Sequence, residues 1–457
     1  MTAGADTRIG PYLELFAGRG AGSEPLGTRR QQAIERFEEA GFPTPRDEEW
    51  RQTNLGPILR ARPVPASGRV LGEGGALPFL YPGCDRMVFV NGRYAPAASS
   101  PPQGVTAFSL ADPAGAGSEL LAEHLGASVD GRASCSADAG VHPFAALNTA
   151  LFEDGAAIGI PAGAALERPI QVLWLSAPSA DAAAGDNGAP ASIEVSFPRL
   201  LVVAGENSQA SVIETFAAAD PAAGGYFVCP AAEFVCAAGS VVRHTRLQAD
   251  AVGAFHLGFQ HARLDRAAAF DSSSLAFGGA LVRNDTVALL DGEGADCSLD
   301  GLYVLAGSQF TGNHMRVEHR QPHTTSHQRY KGVLDGQARS VFNGRIYVHQ
   351  AAQKTDAKQT NRNLLLSKAA LANSNPQLEI FADDVRCTHG STIGRLDDDA
   401  LFYLRARGIG FEEAHGMLVH AFAREVTDKA TFEPLRRDLE ARLFASLNGV
   451  RSNGQGG

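Results

Sequence analysis

The sequence predicts a mainly β protein, in which a parallel β-helix core is flanked by helical N-terminal and C-terminal domains. Three observations lead there. From about residue 141 to 395, short apolar runs of β-branched and aromatic residues alternate with Gly, Asp and Asn turns and never settle into helical spacing. Few tight two-residue hairpin signals separate the runs, Asn343-Gly344 being the exception. Polar strand-turn units such as DGEGADCSLDG and VLDGQARSVFNG repeat instead, as in a coil whose turns stack on one another. Strand spacing alone also allows a sandwich. The coil better explains how roughly 250 residues stay all-β in one unit, because a solenoid core grows in one dimension.

The elements follow in order. Within the first domain, residues 1–140, TRRQQAIERFEEAGF places Ala33, Ile34, Phe37 and Ala40 at helical spacing, with Gly41 able to close the helix. EEWRQTNLGPILRA follows, and RMVFVNGRYAP reads as a strand ending in an Asn-Gly turn. The Ala- and Gly-rich stretches GAGSELL and PSADAAAGDNGAPAS read as surface excursions. The core, residues 141–395, holds strand-like runs such as AAIGIP, IQVLWLS, RLLVVAGENS, LVRNDTVALL and RSVFNGRIYV. In the C-terminal domain, residues 396–457, two helices split at Gly408 and Gly410. The second carries Ala414, Met417, Leu418, Ala421 and Phe422 as one apolar stripe. A third begins near Pro434 and repeats Leu435, Leu439, Leu443 and Leu447. Helices so placed cap an open solenoid or dock a partner.

Composition narrows the function. Lys and Arg total 40 against 50 Asp and Glu, and the net charge of −10 argues against nucleic acid and anionic membrane partners. No apolar run is long enough for a signal peptide or a membrane span, so a cytoplasmic protein is expected. The six cysteines, Cys84, Cys135, Cys229, Cys236, Cys297 and Cys387, contain no CxxC pair and form neither a disulfide framework nor a zinc-ribbon set. Phosphate-loop, HExxH, GxSxG and dinucleotide motifs are missing, so any ATP-driven step belongs to another chain.

Three constellations remain. His314, His319, His323, His327 and His349 bunch together, but no cysteine or carboxylate completes a ligand set, and they read as a histidine-rich surface along one face of the coil. Cys229 and Cys236 follow Val in apolar strands and read as core. In ADDVRCTHGSTIG, Cys387 and His389 share one face of a strand, about 7 Å apart. Such a pair suits two ligands reaching toward a shared ion or a partner surface, a thiol activated by its neighbour, or two side chains lining the end of the coil.

The residues from FNGRIYV onward carry a resemblance. AQKTDAKQTNRNLLLS, PQLEIFADDVRCTHGSTIGRLDDDALFYLRARGI and AFAREV, with HRQPHTTSHQRYKGVL, FAALNTALFEDGAAIGIPAGAALERPIQVL, VFVNGRY and EEWRQTNL upstream, resemble the SufB/SufD family of iron–sulfur cluster assembly proteins over nearly the whole chain. Where SufB-like chains carry a VEHEAS-type stretch, DDVRCTHGST stands here, which points to the SufD side. The resemblance implies a right-handed parallel β-helix and a scaffold subunit that is not an enzyme. It further implies pairing with a SufB-like paralogue, a SufC-like ATPase docked on the C-terminal helices, and a transient iron–sulfur cluster at the shared interface. His389, with Cys387 beside it, matches the family's cluster-side position. No tightly bound group is expected in the isolated chain, and no flavin motif is visible. Exposed β-edges make a homodimer of the isolated chain plausible. The rival functions are a β-helix polysaccharide lyase or hydrolase and a standalone metalloprotein built on the histidine cluster.

Overall fold

The computed structural model describes residues 8–19, 26–67, 77–113, 116–126, 142–179 and 192–452. Two long sheets face each other and the chain winds between them. Past residue 230 consecutive strands alternate from one sheet to the other, each pairing in parallel with the strand one coil earlier. In sheet A, Phe255, Leu281, Phe310, Arg339 and Leu371 stack in register. In sheet B, Asp296, Thr325, Asp356 and Arg386 do the same. The fold is a β-solenoid with helices at both ends of the chain, as expected.

Alternation along each strand builds it. In Asp356–Leu365, Ala357, Gln359, Asn361 and Asn363 are buried inside the coil. At the N-terminal end the interior packs the aromatic rings of Phe89, Trp174, Phe216, Phe234 and Phe270, with the buried Glu214, His244 and Arg246 set among them. It turns more polar towards the C-terminal end. There Tyr303 Oη donates to Asn363 Oδ1 at 2.6 Å, Asn363 Nδ2 to Asn361 Oδ1 at 2.7 Å, and Gln359 Nε2 to Gln328 Oε1 at 2.7 Å.

The corner from sheet A to sheet B repeats one backbone device. Asn207, Gly239, Ala267, Gly294, His323 and Lys354 all take positive φ there. Each N–H donates to a carbonyl in the corner of the next coil, as in Gly294 to Pro322 and His323 to Gln353. These ladders satisfy backbone groups that a buried turn would otherwise strand.

The two ends of the solenoid differ. At the N-terminal end, Thr106–Ser109 pairs antiparallel with Ala156–Ile160, and Arg93–Tyr94 turns back on Asp85–Val90 through Asn91 and Gly92, closing the edges. The strand Asp85–Val90 itself pairs in parallel with Ile170–Ser176, so the sheets begin well before residue 141. Over the outer face of sheet A lie Leu26–Ala40 and Pro143–Leu151. Asn148 fixes the latter by donating to the carbonyls of Pro198 and Cys229, at 2.9 and 2.7 Å. Arg283 is held by both oxygens of Asp285 and stacks 3.4 Å from the Trp50 ring, which explains the EEWRQTNL stretch as a clasp between helical domain and coil.

Several local expectations change. Asn343-Gly344 is no turn; it lies inside the strand Arg339–Val348. GAGSELL is no loop either, because its residues 116–121 belong to the helix Ala116–His124, with Leu121 buried. On the helix Phe411–Thr427 the packed face is Ala414, Val419, Ala423 and Val426, while Met417 and Ala421 point outward, because the outer groove of sheet B selects the stripe. Leu435, Leu439 and Leu443 are buried as their spacing predicts. The Leu447 side chain, Cys135 and nearly all of PSADAAAGDNGAPAS lie outside the described residues.

Candidate functional site: the open end of the solenoid

The C-terminal helices do not cap the coil. They fold back along the outer face of sheet B, where Val419, Ala423, Leu435 and Leu439 pack on Leu247, Leu302 and Val333. Lys429 donates to Asp300 at 2.6 Å, Lys331 to the Phe422 carbonyl at 2.9 Å, and Tyr81 to Asp438 at 2.7 Å, tying the helices to the body. Burial pushes Asp300 up to about 6, opposed by Arg329. The last strands, Leu371–Ile380 and Arg386–Gly394, therefore keep one edge each without a β partner among the described residues.

Cys387 and His389 lie on the final strand of sheet B, in register with the buried Ala357 and Gln359. They continue the inward column of the coil, and the same-face spacing places both at its open mouth. Cys387 is half-buried against a small apolar cluster of Ile346, Val348 and Ala352, whereas His389 is exposed. Burial raises the Cys387 thiol above its ordinary range, an amide hydrogen bond from Ala357 opposing weakly. Leu371, Ile380, Phe381 and Ile393 form an exposed apolar rim, Phe381 at 56% and Ile393 at 49%.

The histidine bunch disperses, contrary to the single-face expectation. His319 is buried inside the coil, bonded to Thr324 Oγ1 and Ser326 Oγ at 2.8 Å each. His314 lies outside sheet A, buried beside Arg283, Asp285 and His142. His323 is a corner residue at φ 59, His327 sits on sheet B, and His349 follows sheet A near Glu318. Each coil rotates the chain through two sheets and two corners, so neighbours in sequence face different ways. The five histidines therefore do not converge on one site, and among the described residues no group of three His, Cys, Asp or Glu side chains could hold a metal. Asp397 caps the helix Asp398–Ala406, accepting from Asp399 and Ala400, and Asp384 pairs with Lys354. Those acidic groups serve structure. Cys229, Cys236 and Cys297 are all core, their thiols raised by burial. No helix of the described residues is long and apolar enough to cross a membrane.

The buried histidines make stability pH-dependent. Burial lowers His314 and His319 to about 3 and His261 to about 4, from an ordinary 6.5. A depressed histidine binds its proton more readily in the unfolded chain, so the stabilisation is complete above pH 6.5 and drains away as pH falls toward 3 or 4. Each is worth up to about 2–4 kcal/mol across that window. Thermal melts of wild type should weaken steeply between pH 6.5 and 4. His314→Leu should show a shallower dependence; identical slopes would reject the assignment.

Comparison with known proteins decides the family. The profile of the SufBD core domain, described as SUF system FeS cluster assembly, matches residues 185–422, and that of the SufBD N-terminal region matches residues 83–172. The chain belongs to the SufBD family. A SufBD family protein of Synechocystis is 33% identical over 90% of this chain and 89% of its own length. The iron–sulfur cluster assembly protein SufD of Escherichia coli is 30% identical over 93% and 95%. The chloroplastic protein ABCI7 of Arabidopsis thaliana is 31% identical over 60% and 56%. SufBD membership favours cluster assembly over the polysaccharide-lyase alternative. Gln359 escaped sequence reasoning altogether. The signal that could have found it is the coil repeat, which puts Gln359 one turn beneath His389.

Proposed function

We propose that this SufBD protein is a non-catalytic scaffold subunit in iron–sulfur cluster assembly. It pairs through the open end of its solenoid with a SufB-like paralogue and carries a SufC-like ATPase on its C-terminal helices. One observation carries the reading: the inward column of a coil surfaces at an uncapped mouth with His389 and Cys387 at its lip, rimmed by exposed apolar side chains. The nascent cluster is cargo, and imidazole with thiol suits iron. Half of the ligand set stands here, and the paralogue supplies the rest. Without the paralogue, two copies of the same rim and open edges associate as a homodimer.

Support for the ATPase site comes from the helices themselves. Phe402 is 74% exposed, and Tyr403, Phe411, Met417 and Phe444 also reach solvent, more apolar surface than a helix packed on its own domain requires. Because the opposite faces of Phe411–Thr427 and Glu433–Ser452 bury Leu247, Leu302 and Val333, deletion would disturb the coil, and point substitution is the cleaner test. Phe402→Ser with Phe411→Ser should weaken ATPase capture in a pull-down at least tenfold and leave paralogue binding unchanged. Undiminished ATPase capture would refute the site.

A further inference from the structure

Gln359 is buried, yet its Oε1 has no hydrogen-bond partner among the described residues. Leaving a buried carbonyl oxygen unbonded is costly, so such an atom in a native fold asks for a partner that arrives later. Its Nε2 is already committed, donating to Gln328 Oε1 one coil back. The amide is held by shape as well. Gly344 faces it from the strand Arg339–Val348 of the other sheet, and a Cβ at that glycine would overlap the Gln359 amide. The Asn-Gly pair that looked like a turn is thus the space into which Gln359 extends. Column order runs Gln328, Gln359, His389, each in register with the next. The unbonded oxygen belongs to the rung directly below the exposed imidazole.

We propose that Gln359 is the positioning residue for His389: with the open end covered, the imidazole turns inward and donates one ring N–H to Gln359 Oε1, leaving the lone pair of its other nitrogen directed outward to ligate. The inference rests on the reading of His389 as a cluster-side ligand. The chemistry suits the residue type. A ligating histidine is oriented and fixed in one tautomer by a hydrogen bond from its second ring nitrogen. An amide oxygen does this while leaving the ring neutral; a carboxylate there would favour imidazolium, which has no lone pair to give.

The test uses the complex assembled from this chain and its paralogue, with ring-¹⁵N histidine in this chain only, read by solid-state NMR. His389→Ala identifies the signal. Wild type should show one His389 tautomer with a hydrogen-bonded N–H. Gln359→Leu should lose that bond and give mixed tautomers, with assembly slowed at least tenfold. Gln359→Asn, which keeps the interior polar but falls short by one methylene, should behave likewise and serves if the leucine variant does not fold. Gln359→Glu should restore the bond and shift the ring toward imidazolium at neutral pH. Unchanged His389 signals in the leucine or asparagine variant would overturn the proposal, as would lowered thermal stability with an unaltered ring. If His389→Ala itself assembles clusters at the wild-type rate, the underlying reading fails. If His389→Ala is inactive while Gln359→Leu keeps wild-type signals and rate, this inference alone fails.

Discussion

Replacing His389 by alanine should abolish cluster assembly in the reconstituted complex while leaving the complex intact. Both halves of this expectation follow from position. The ring is exposed and makes no hydrogen bond or ion pair among the described residues, so its removal should leave the coil as stable as before; surface truncations of this kind stay within about 0.5 kcal/mol. The proposed contact with the paralogue is spread over the exposed Leu371, Ile380, Phe381 and Ile393, none of which the substitution touches. Only the ligand is removed. Iron left with one ligand fewer at a shared site should reduce formation at least a hundredfold, within the range that loss of a key site group produces. Cys387→Ser should cost less, since that thiol is half-buried against Ile346 and Val348. Size-exclusion chromatography and visible absorption on the same samples separate assembly of the complex from assembly of the cluster. A wild-type rate in His389→Ala would reject the role.

Glu233→Ala should strongly destabilise the N-terminal half. Glu233 and Arg199 form an ion pair fully inside the protein, and the same carboxylate accepts the Gly126 N–H at 2.8 Å. Arg199 also donates to Asn148 Oδ1 and Thr149 Oγ1, which anchor the helix Pro143–Leu151 on the coil. Removing the carboxylate leaves a buried guanidinium without its counter-charge, a loss of about 3–5 kcal/mol. That is a large fraction of the stability of an ordinary domain. Circular dichroism melts should show a drop in Tm of several degrees or a separate early transition. Paired replacement of Arg199 and Glu233 by Met and Leu should recover much of the loss. A Glu233→Ala melt matching wild type would contradict the account of this clasp.

Much of the architecture is legible because a solenoid strand alternates inward and outward along its length, and residues such as Val282, Ala288 and Leu290 carry that rhythm in the sequence itself. Corners are less legible. Ala267, His323 and Lys354 occupy the same left-handed position as Asn207 and Gly239, and only stacking on the next coil makes that conformation affordable for them. The histidine bunch misled for the same reason, since position within the coil, not proximity in sequence, decides which face a side chain takes. The shared face of Cys387 and His389 was readable from a two-residue period. Gln359 and Gly344 were not, because their contact joins opposite sheets and requires the coil register. The stripe of Phe411–Thr427 was misplaced because its partner surface, the outer face of sheet B, is assembled from strands far away in sequence.

The most direct measurement places a photo-crosslinking residue at Ile393, on the rim of the open end, in the complex of this chain with the paralogue and the ATPase. A crosslink to the paralogue, lost when the probe moves to the exposed Val252, is the predicted result. Crosslinking from Ile393 to the ATPase alone, or to neither partner in a complex that otherwise assembles clusters, would contradict the claim that the mouth of this solenoid is one half of a shared site.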